Sequence, residues 1–311
     1  MNILITGAAG QRSSYLFEEA DVRNHDAWGV DIVPPGNASA KDKVEIIDIR
    51  DTEKLAKSAN GADVIIHTAA QVSVQKSLMD PVFDADINVL GTVSALKAAV
   101  DSGVKKFIFI SSAAVYGNPV SLPISEMHPV NPLSVYGASK LAAEGYVRMF
   151  ENTYGLKTII IRPFNFYSSR ADADSPYSGV ITKFSECVKN NSPITIDGDG
   201  MQTRDFLHAA DVSKFIHLAM ESDVSGVTFN CGSGKAISIN ELAEKMISVS
   251  SKNIDIVHSQ PRTADIKHSV ADVRLAEELL DFHTSVTIEE GLKELFTSQN
   301  QLSAKMSISM Q

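Results

Sequence analysis

Asn2-Ile3-Leu4-Ile5-Thr6-Gly7-Ala8-Ala9-Gly10-Gln11-Arg12-Ser13-Ser14-Tyr15-Leu16 opens the chain with an apolar run, a glycine-punctuated turn and the start of a helical pattern. A short, near-continuous apolar run of this kind reads as a strand buried on both faces. Gly7 suits a tight turn and Gly10 lets the backbone approach a pyrophosphate. The N–H groups and positive dipole end of the helix that follows would receive it. The third small position is Ser13 rather than Gly, at a point where helix and strand must pack closely. A glycine-rich turn alone is weak evidence, and its place between a first strand and a helix is what gives it meaning. Asp31 stands at the end of a second apolar run, Ala27–Asp31. A carboxylate there suits the adenosine ribose hydroxyls and would repel a 2′-phosphate, so the expected cofactor is NAD rather than NADP. The plainer alternative is a strand-end turn residue ahead of Pro34-Pro35. Arg12 either touches a phosphate or faces water.

Outward from this stretch, short β-branched runs alternate with helical segments. Strands are expected at Asn2–Thr6, Ala27–Asp31, Val44–Asp48, Val64–His67, Lys106–Ser111 and Thr158–Arg162. Helices are expected at Thr52–Ala59, Asp84–Ser102 and Ser134–Thr153, the last stopped by Gly155. That alternation predicts an α/β fold, a Rossmann-type doubly wound parallel sheet. After Pro163 the pattern loosens, and further helices are expected at Val180–Asn190, Ala210–Glu221, Ile239–Ser248 and Ile288–Thr297. The expected organisation is a dinucleotide-binding domain over 1–164, with 204–232 returning to it. A smaller C-terminal substrate-binding lobe over 165–297 and a tail over 298–311 complete it.

Composition excludes several classes. The 311 residues are 44% hydrophobic, which allows a large core, and carry a formal net charge of −10, which disfavours nucleic acid and anionic membranes as partners. No apolar run reaches the roughly 20 residues needed to span a bilayer. Met1-Asn2 leads directly into the first strand, with no basic region or cleavage site of a signal peptide. Cys187 and Cys231, the two cysteines, lie outside any metal-binding spacing. The expectation is a reducing, cytoplasmic setting and no metal.

Chemistry enters with Ser134-Val135-Tyr136-Gly137-Ala138-Ser139-Lys140, downstream of Ile110-Ser111-Ser112. Tyr136 and Lys140 are one helical turn apart. A cation within a few Å of a phenol stabilises the phenolate and lowers a pKa that is otherwise about 10. A serine hydroxyl nearby could hold a substrate alcohol or ketone against it. The spacing alone is not specific, since chance supplies about 0.4 such pairs in a chain of this composition.

With these motifs in order, the sequence resembles the extended short-chain dehydrogenase/reductases, specifically the NAD-dependent epimerase/dehydratase group that acts on nucleotide sugars. The resemblance reaches to about Phe296. Beyond the glycine turn it rests on Asp48-Ile49, His67-Thr68-Ala69-Ala70-Gln71, Asn88-Val89-Leu90-Gly91-Thr92, Ser111-Ser112-Ala113-Ala114-Val115-Tyr116-Gly117, Arg162-Pro163-Phe164-Asn165-Phe166-Tyr167, Gly198–Phe206, Asn230–Gly234 and Arg262–Asp265. It implies that Ser112, Tyr136 and Lys140 are catalytic. It implies cofactor contacts at Gly7, Gly10, Gln11, Arg12, Asp31, Asp48, Ile49, Thr68, Ala69, Ala70, Asn88, Ser111, Tyr136, Lys140 and Pro163. Substrate would meet Ser112 and Asn165, with Arg204 and Arg262 on its diphosphate. It also implies a homodimer formed through the Tyr136 helix, whose Val135, Leu141, Ala142, Val147 and Met149 would fit either that role or an ordinary buried face.

Departures sharpen the reading. Gln11-Arg12 replaces the usual apolar pair, so that one stretch resembles GDP-mannose 4,6-dehydratases, and Ser168-Ser169-Arg170 stands where Gly-Pro-Arg is usual. Sugar dehydratases and decarboxylases of the group carry an acid just after the catalytic Ser or Thr, whereas Ala113 and Ala114 occupy those places here. Two methyl groups cannot protonate a leaving hydroxyl. The resemblance therefore implies an epimerase that inverts C4 of an NDP-hexose through a transient 4-keto sugar. The alternatives are a reductase of 4-keto sugars or a sugar dehydrogenase, and a non-catalytic NAD-binding protein.

Overall fold

The computed structural model describes residues 1–36, 40–171, 179–261 and 266–297. Its centre is a seven-stranded parallel sheet of β1 (Asn2–Thr6), β2 (Asp26–Asp31), β3 (Val44–Ile46), β4 (Val64–His67), β5 (Lys106–Ile110), β6 (Lys157–Pro163) and β10 (Val227–Cys231). The remaining strands are β7 (Asn165–Tyr167), β8 (Ile194–Asp197), β9 (Thr203–His208), β11 (Ala236–Ser238) and β12 (Ile256–Ser259). The strand order in the large sheet is β10-β6-β5-β4-β1-β2-β3. β1 therefore pairs with β2 on one side and β4 on the other, and the order reverses between β1 and β4. Open α/β sheets bind their ligands at such a reversal, beyond the carboxyl ends of the strands.

Both faces of the sheet are covered, which is why its strands read as unbroken apolar runs. On one face, α1 (Gln11–Val22) contributes Leu16 and Phe17, and α8 (Ala209–Glu221) contributes Phe215 and Ile216. On the other face, Leu55 of α2 (Thr52–Ser58), Ala95 and Leu96 of α5 (Gly91–Asp101) and Ala143 and Val147 of α6 (Val135–Tyr154) close a second layer. A third cluster gathers Ile181 and Phe184 of α7 (Val180–Lys189), Leu242 and Met246 of α9 (Ile239–Ser250), and Phe206 and Leu292. The smaller lobe thus has a core of its own, built around a three-stranded sheet β11-β9-β7 and the pair β12-β8.

Several expectations need correction. The segment 204–232 divides, because β9 pairs with β7 and β11 in the small sheet, whereas β10 adds to β6 in the large one. The third strand stops at Ile46, because the Asp48 carboxylate takes the Arg50 N–H and turns the chain. The helix expected over Asp84–Ser102 is continuous but starts earlier and widens within: α4 (Pro81–Ala85) runs through a π-helical turn at Asp86–Leu90 into α5. α3 (Val74–Met79) and α10 (Arg274–Leu280) were not anticipated, although Ser73 caps the former by accepting the Lys76 N–H. The α6 stop is as expected, with Gly155 in the left-handed region at φ 70°. Arg262 and the 298–311 tail lie outside the described residues.

Candidate active site

The turn after β1 is tight for a steric reason. Gly7 has φ 72°, and a Cβ there would stand 2.7 Å from the Ala69 backbone nitrogen. Two strand ends are thereby held against each other at the point where the sheet order reverses. Ser13 fits the third small position because its Oγ donates back to the Gly7 carbonyl at 2.7 Å. Between these ends lies a cleft of about 320 Å³ lined by Gly7, Gly10, Gln11, Asp31, Asp48, Ile49, Thr68, Ala69 and Ala70 among others. Nine of the residues named for the cofactor therefore meet in one place. Ile32, Ile47, Val72, Ile87 and Phe166 complete its wall. Of these, Ile32 carried a signal, being a large aliphatic directly after the acid, while Phe166 arrives from the far side of the chain.

Asp31 closes the turn at the end of β2 and also lines the cleft. Its Oδ2 accepts the Ala9 N–H of the glycine turn at 2.9 Å, and its Oδ1 accepts the Ile32 and Val33 N–H groups, while the residue lines the cleft. Asp48 is paired with Arg50, which also reaches Asp86 at 2.6 Å. The Arg50 hydrogen bonds hold the Asp48 carboxyl below its ordinary range. Asn88 does not line the cleft; it is buried behind it. Its Nδ2 donates to Gln71 O and to Ser139 Oγ, and its Oδ1 accepts the Gln71 N–H, so it ties the turn after β4 to α6. The side chain of Arg12 is outside the described part. The cradle suits a dinucleotide: glycines where backbone must come close, an acid at the ribose position, and an α1 N-terminus with no side-chain cap.

α6, which carries Tyr136 and Lys140, starts hard against the turn that follows Ser112. A Cβ on Gly137 would lie 2.7 Å from the Ala114 carbonyl oxygen and 2.9 Å from Pro132, so only glycine permits the approach. Ser112 caps the turn Ala113–Val115 by accepting the Ala114 N–H at 3.1 Å, which leaves its hydroxyl proton able to donate elsewhere. Tyr136 is half-buried, and its backbone N–H is held by Ser77 Oγ of the unanticipated α3. Lys140 is buried, with Nζ 4.4 Å from the centre of the Phe109 ring.

Behind this pair stand two buried networks. Thr92 Oγ1 donates to Asn88 O, so it accepts from His67 Nε2–H. His67 Nδ1 then accepts from Thr6 Oγ1, which in turn accepts the Ala69 N–H. His67 is thereby fixed as the neutral Nε2–H tautomer. Burial, reinforced by the nearby Lys140 charge, pushes its pKa down to about 3. The second network centres on Glu144, one further turn along the face that carries Tyr136 and Lys140. Glu144 accepts two bonds from Arg162, at 2.9 and 2.6 Å, and one from Ser111 Oγ at 2.6 Å. Burial raises the Glu144 carboxyl, but the Arg162 bonds and charge together with Ser111 outweigh it and hold it below the ordinary range. Arg162 continues to the Tyr116 hydroxyl, and that hydroxyl donates to Asn230. Ser111 therefore acts behind the site, orienting the strand end that carries Ser112. Glu144 was missed by sequence reasoning, though its spacing of four from Lys140 was the available signal.

On the far side of the cleft, Asn165 and Arg204 line a cavity of about 400 Å³ with Lys183, Phe184, Gln202 and Ile239. Arg204 Nη1 donates to the Thr203 carbonyl at 2.8 Å. Pro163 ends β6 two residues before Asn165. No group of acidic, histidine and cysteine side chains able to hold a metal occurs among the described residues.

Residues 3–232 match the NAD dependent epimerase/dehydratase family. The chain belongs to that family. It is 36% identical over 314 residues to a UDP-glucose 4-epimerase of Mycolicibacterium smegmatis, covering 97% of this chain and 100% of the relative. It is also 36% identical over 299 residues to a putative UDP-glucose 4-epimerase of Methanocaldococcus jannaschii, covering 94% and 96%. Among solved structures, the UDP-glucose 4-epimerase of Thermotoga maritima with UDP-glucose superposes with a TM-score of 0.91 at 31% identity, covering 97% of this chain and 100% of that one. The family's cofactor is NAD, and the cleft between β1 and β4 is shaped to receive it. No acid follows Ser112 directly: Ala113 and Ala114 form the turn that it caps.

Proposed function

We propose that this enzyme is a nucleotide-sugar 4-epimerase, inverting C4 of an NDP-hexose of the UDP-glucose/UDP-galactose type. The observation that carries the proposal is the packing of the start of α6, with Tyr136 and Lys140 on it, against a turn capped by Ser112 whose next two side chains are methyl groups. NAD, when bound, supplies reversible oxidation at C4. Ser112 would hold the C4 hydroxyl by hydrogen bond. Tyr136 would take its proton as C4 becomes a ketone and return one as the alcohol re-forms. Lys140, buried among the Phe109 ring and neutral His67, provides the positive charge that favours the phenolate. With no acid at positions 113 and 114, elimination of water has no proton donor there, and reduction back to the alcohol is the route left open. Inversion follows when the ketone presents its other face before reduction.

Substrate anchoring falls to Asn165, Arg204 and Arg262, with the guanidinium groups suited to a diphosphate. Holding the sugar by its diphosphate leaves the ring free to turn over. We take 1–164 with α8 and β10 as the cofactor-binding unit and the remainder to 297 as the substrate lobe. A homodimer through α6 and its neighbours fits the apolar side chains exposed there, Val82, Phe83, Leu90, Tyr146 and Met149, beside Gly145 with open space above it. Val147, by contrast, is fully buried and belongs to the core. Sedimentation of Met149→Glu against the unaltered protein tests that interface. A cytoplasmic setting fits two free thiols, and no helix among the described residues is long and apolar enough to cross a membrane.

The direct test is incubation with UDP-galactose, UDP-N-acetylgalactosamine and related donors, followed by chromatography. C4-inverted product should form with no net accumulation of NADH. Stoichiometric NADH formation without an epimer would instead identify a sugar dehydrogenase or a 4-keto-sugar reductase running in reverse.

A further inference from the structure

The departure Ser168-Ser169-Arg170 forms a polar seam against the first two turns of α1. Arg170 Nη1 donates to Ser14 Oγ at 2.8 Å, and Nη2 pairs with Glu18 Oε2 at 2.8 Å. The guanidinium lies 3.9 Å from the centre of the Tyr15 ring. Ser168 Oγ accepts the Arg170 backbone N–H and approaches Gln11 Oε1 at 3.4 Å. Ser168 and Arg170 are thus fitted to the unusual Gln11…Ser14-Tyr15 face of α1, while Ser169 donates to Glu294. Arg170 lines a cavity of about 750 Å³ with Ala9, Gly10, Gln11, Ser14 and Asn165 among others.

Charge singles out the arginine. Among the described residues lining this cavity and the adjoining cofactor cleft, Arg170 is the one cation, and the other charged groups are the carboxylates of Asp31 and Asp48. A dinucleotide brings two negative charges on its diphosphate into that space, and Arg170 is the described cation placed to help offset them. Ser14 lies four residues beyond Gly10, so the guanidinium rests about 6 Å along the helix from the turn, by the helical rise of 1.5 Å per residue. Glu18 holds it one turn further back. An arginine side chain spans that distance by changing rotamer, with Ser14 as the pivot.

We propose that Arg170 is a contact for the cofactor diphosphate, with the Glu18 carboxylate competing against the phosphate oxygens for its guanidinium. The proposal rests on the NAD-dependent family assignment and adds a residue to it. The partners of its guanidinium by hydrogen bond, ion pair and ring contact are Ser14, Glu18 and Tyr15 of α1, which favours the cofactor's diphosphate over that of the sugar nucleotide, whose candidate arginine is Arg204 in the adjoining cavity.

The test is calorimetric titration of nucleotide-stripped enzyme with NAD, ADP, adenosine and UDP. Arg170→Ala should weaken NAD and ADP at least tenfold while leaving adenosine and UDP unchanged. Glu18→Gln, which frees the guanidinium, should tighten NAD twofold or more. Equal weakening of adenosine would mean that Arg170 only supports the fold of α1, and weakening of UDP alone would assign it to the substrate; either overturns the proposal. Unchanged NAD affinity in Arg170→Ala overturns it as well. Failure of the unaltered protein to bind NAD would count against the cofactor assignment itself, a separate result.

Discussion

The two sides of the active-site cleft are built on different plans. Behind Tyr136 and Lys140 polar side chains are buried and hydrogen-bonded to one another: His67 between two threonines, Asn88 across to Ser139, Glu144 under Arg162. On the side of Asn165, Arg204 and Arg170 the polar groups are exposed or half-buried and bond to backbone or to surface partners. The difference matches the demands on each side. Proton transfer needs fixed geometry, and buried satisfied networks supply it. Recognition of a nucleotide and a sugar needs side chains that can adjust on binding, and such groups tolerate substitution between relatives that act on different sugars.

The largest expected effect lies on the rigid side. Tyr136→Phe removes the proton carrier and keeps the ring, so turnover should fall by about 10²–10⁴-fold. Thermal stability and bound NAD should be retained. Retained turnover measured by epimer formation would remove Tyr136 from the chemistry and erase the functional half of the comparison.

Next comes Glu144→Gln. Arg162 is only 4% exposed, and the substitution leaves its charge without a carboxylate in the interior. Breaking one partner of a buried pair costs about 3–5 kcal/mol. Urea unfolding should report a loss near the lower figure, since the amide keeps one acceptor oxygen. A change under about 1 kcal/mol would show that the network is ornamental to stability. The lost Ser111 bond should also lower turnover through Ser112, with NAD affinity unaltered.

How much of this was legible in the sequence follows the same division. The glycine turn, Asp31 and the Tyr136/Lys140 pair could be read because their chemistry is local: each needs a residue type at a fixed spacing along one element. The π-helical turn at Asp86–Leu90 could not, because a helix that widens by one residue keeps the same apolar pattern. Nor could β9 be assigned to the small sheet. Its apolar residues fit either sheet, and the choice is made by pairing with Asn165–Tyr167 and Ala236–Ser238 far along the chain. Glu144 and Arg162 read as an ordinary helix-surface acid and a strand-end base until tertiary packing buries both.

His67 sharpens the comparison through pH. Its folded pKa, pushed down to about 3, lies well below the ordinary value of about 6.5, so the unfolded chain binds a proton that the native one excludes. Stability from this group is therefore complete above about pH 6.5 and is lost as pH falls toward 3. Linkage puts the loss between pH 7 and pH 5 at about 2 kcal/mol. Glu144, whose pKa is also depressed, loses its contribution in the same direction but at lower pH, beginning below the ordinary carboxylate range. Urea midpoints measured from pH 8 to pH 5 should fall, and His67→Gln should flatten the slope above pH 5. A parallel slope in that variant would place the acid sensitivity elsewhere.

The smallest effect is expected on the adjustable side, and its form matters more than its size. Arg204→Ala removes a half-buried guanidinium from the lining of a cavity, so the fold should lose little. If Arg204 holds the substrate diphosphate equally in ground and transition states, KM for the nucleotide sugar should rise about tenfold, roughly 1.4 kcal/mol, with kcat unchanged. That pattern is the opposite of Tyr136→Phe, where turnover falls and binding stays. A fall in kcat for Arg204→Ala would mean that anchoring also sets the sugar against Tyr136. Recognition and chemistry would then be coupled across the cleft, and the two sides could no longer be treated as independent.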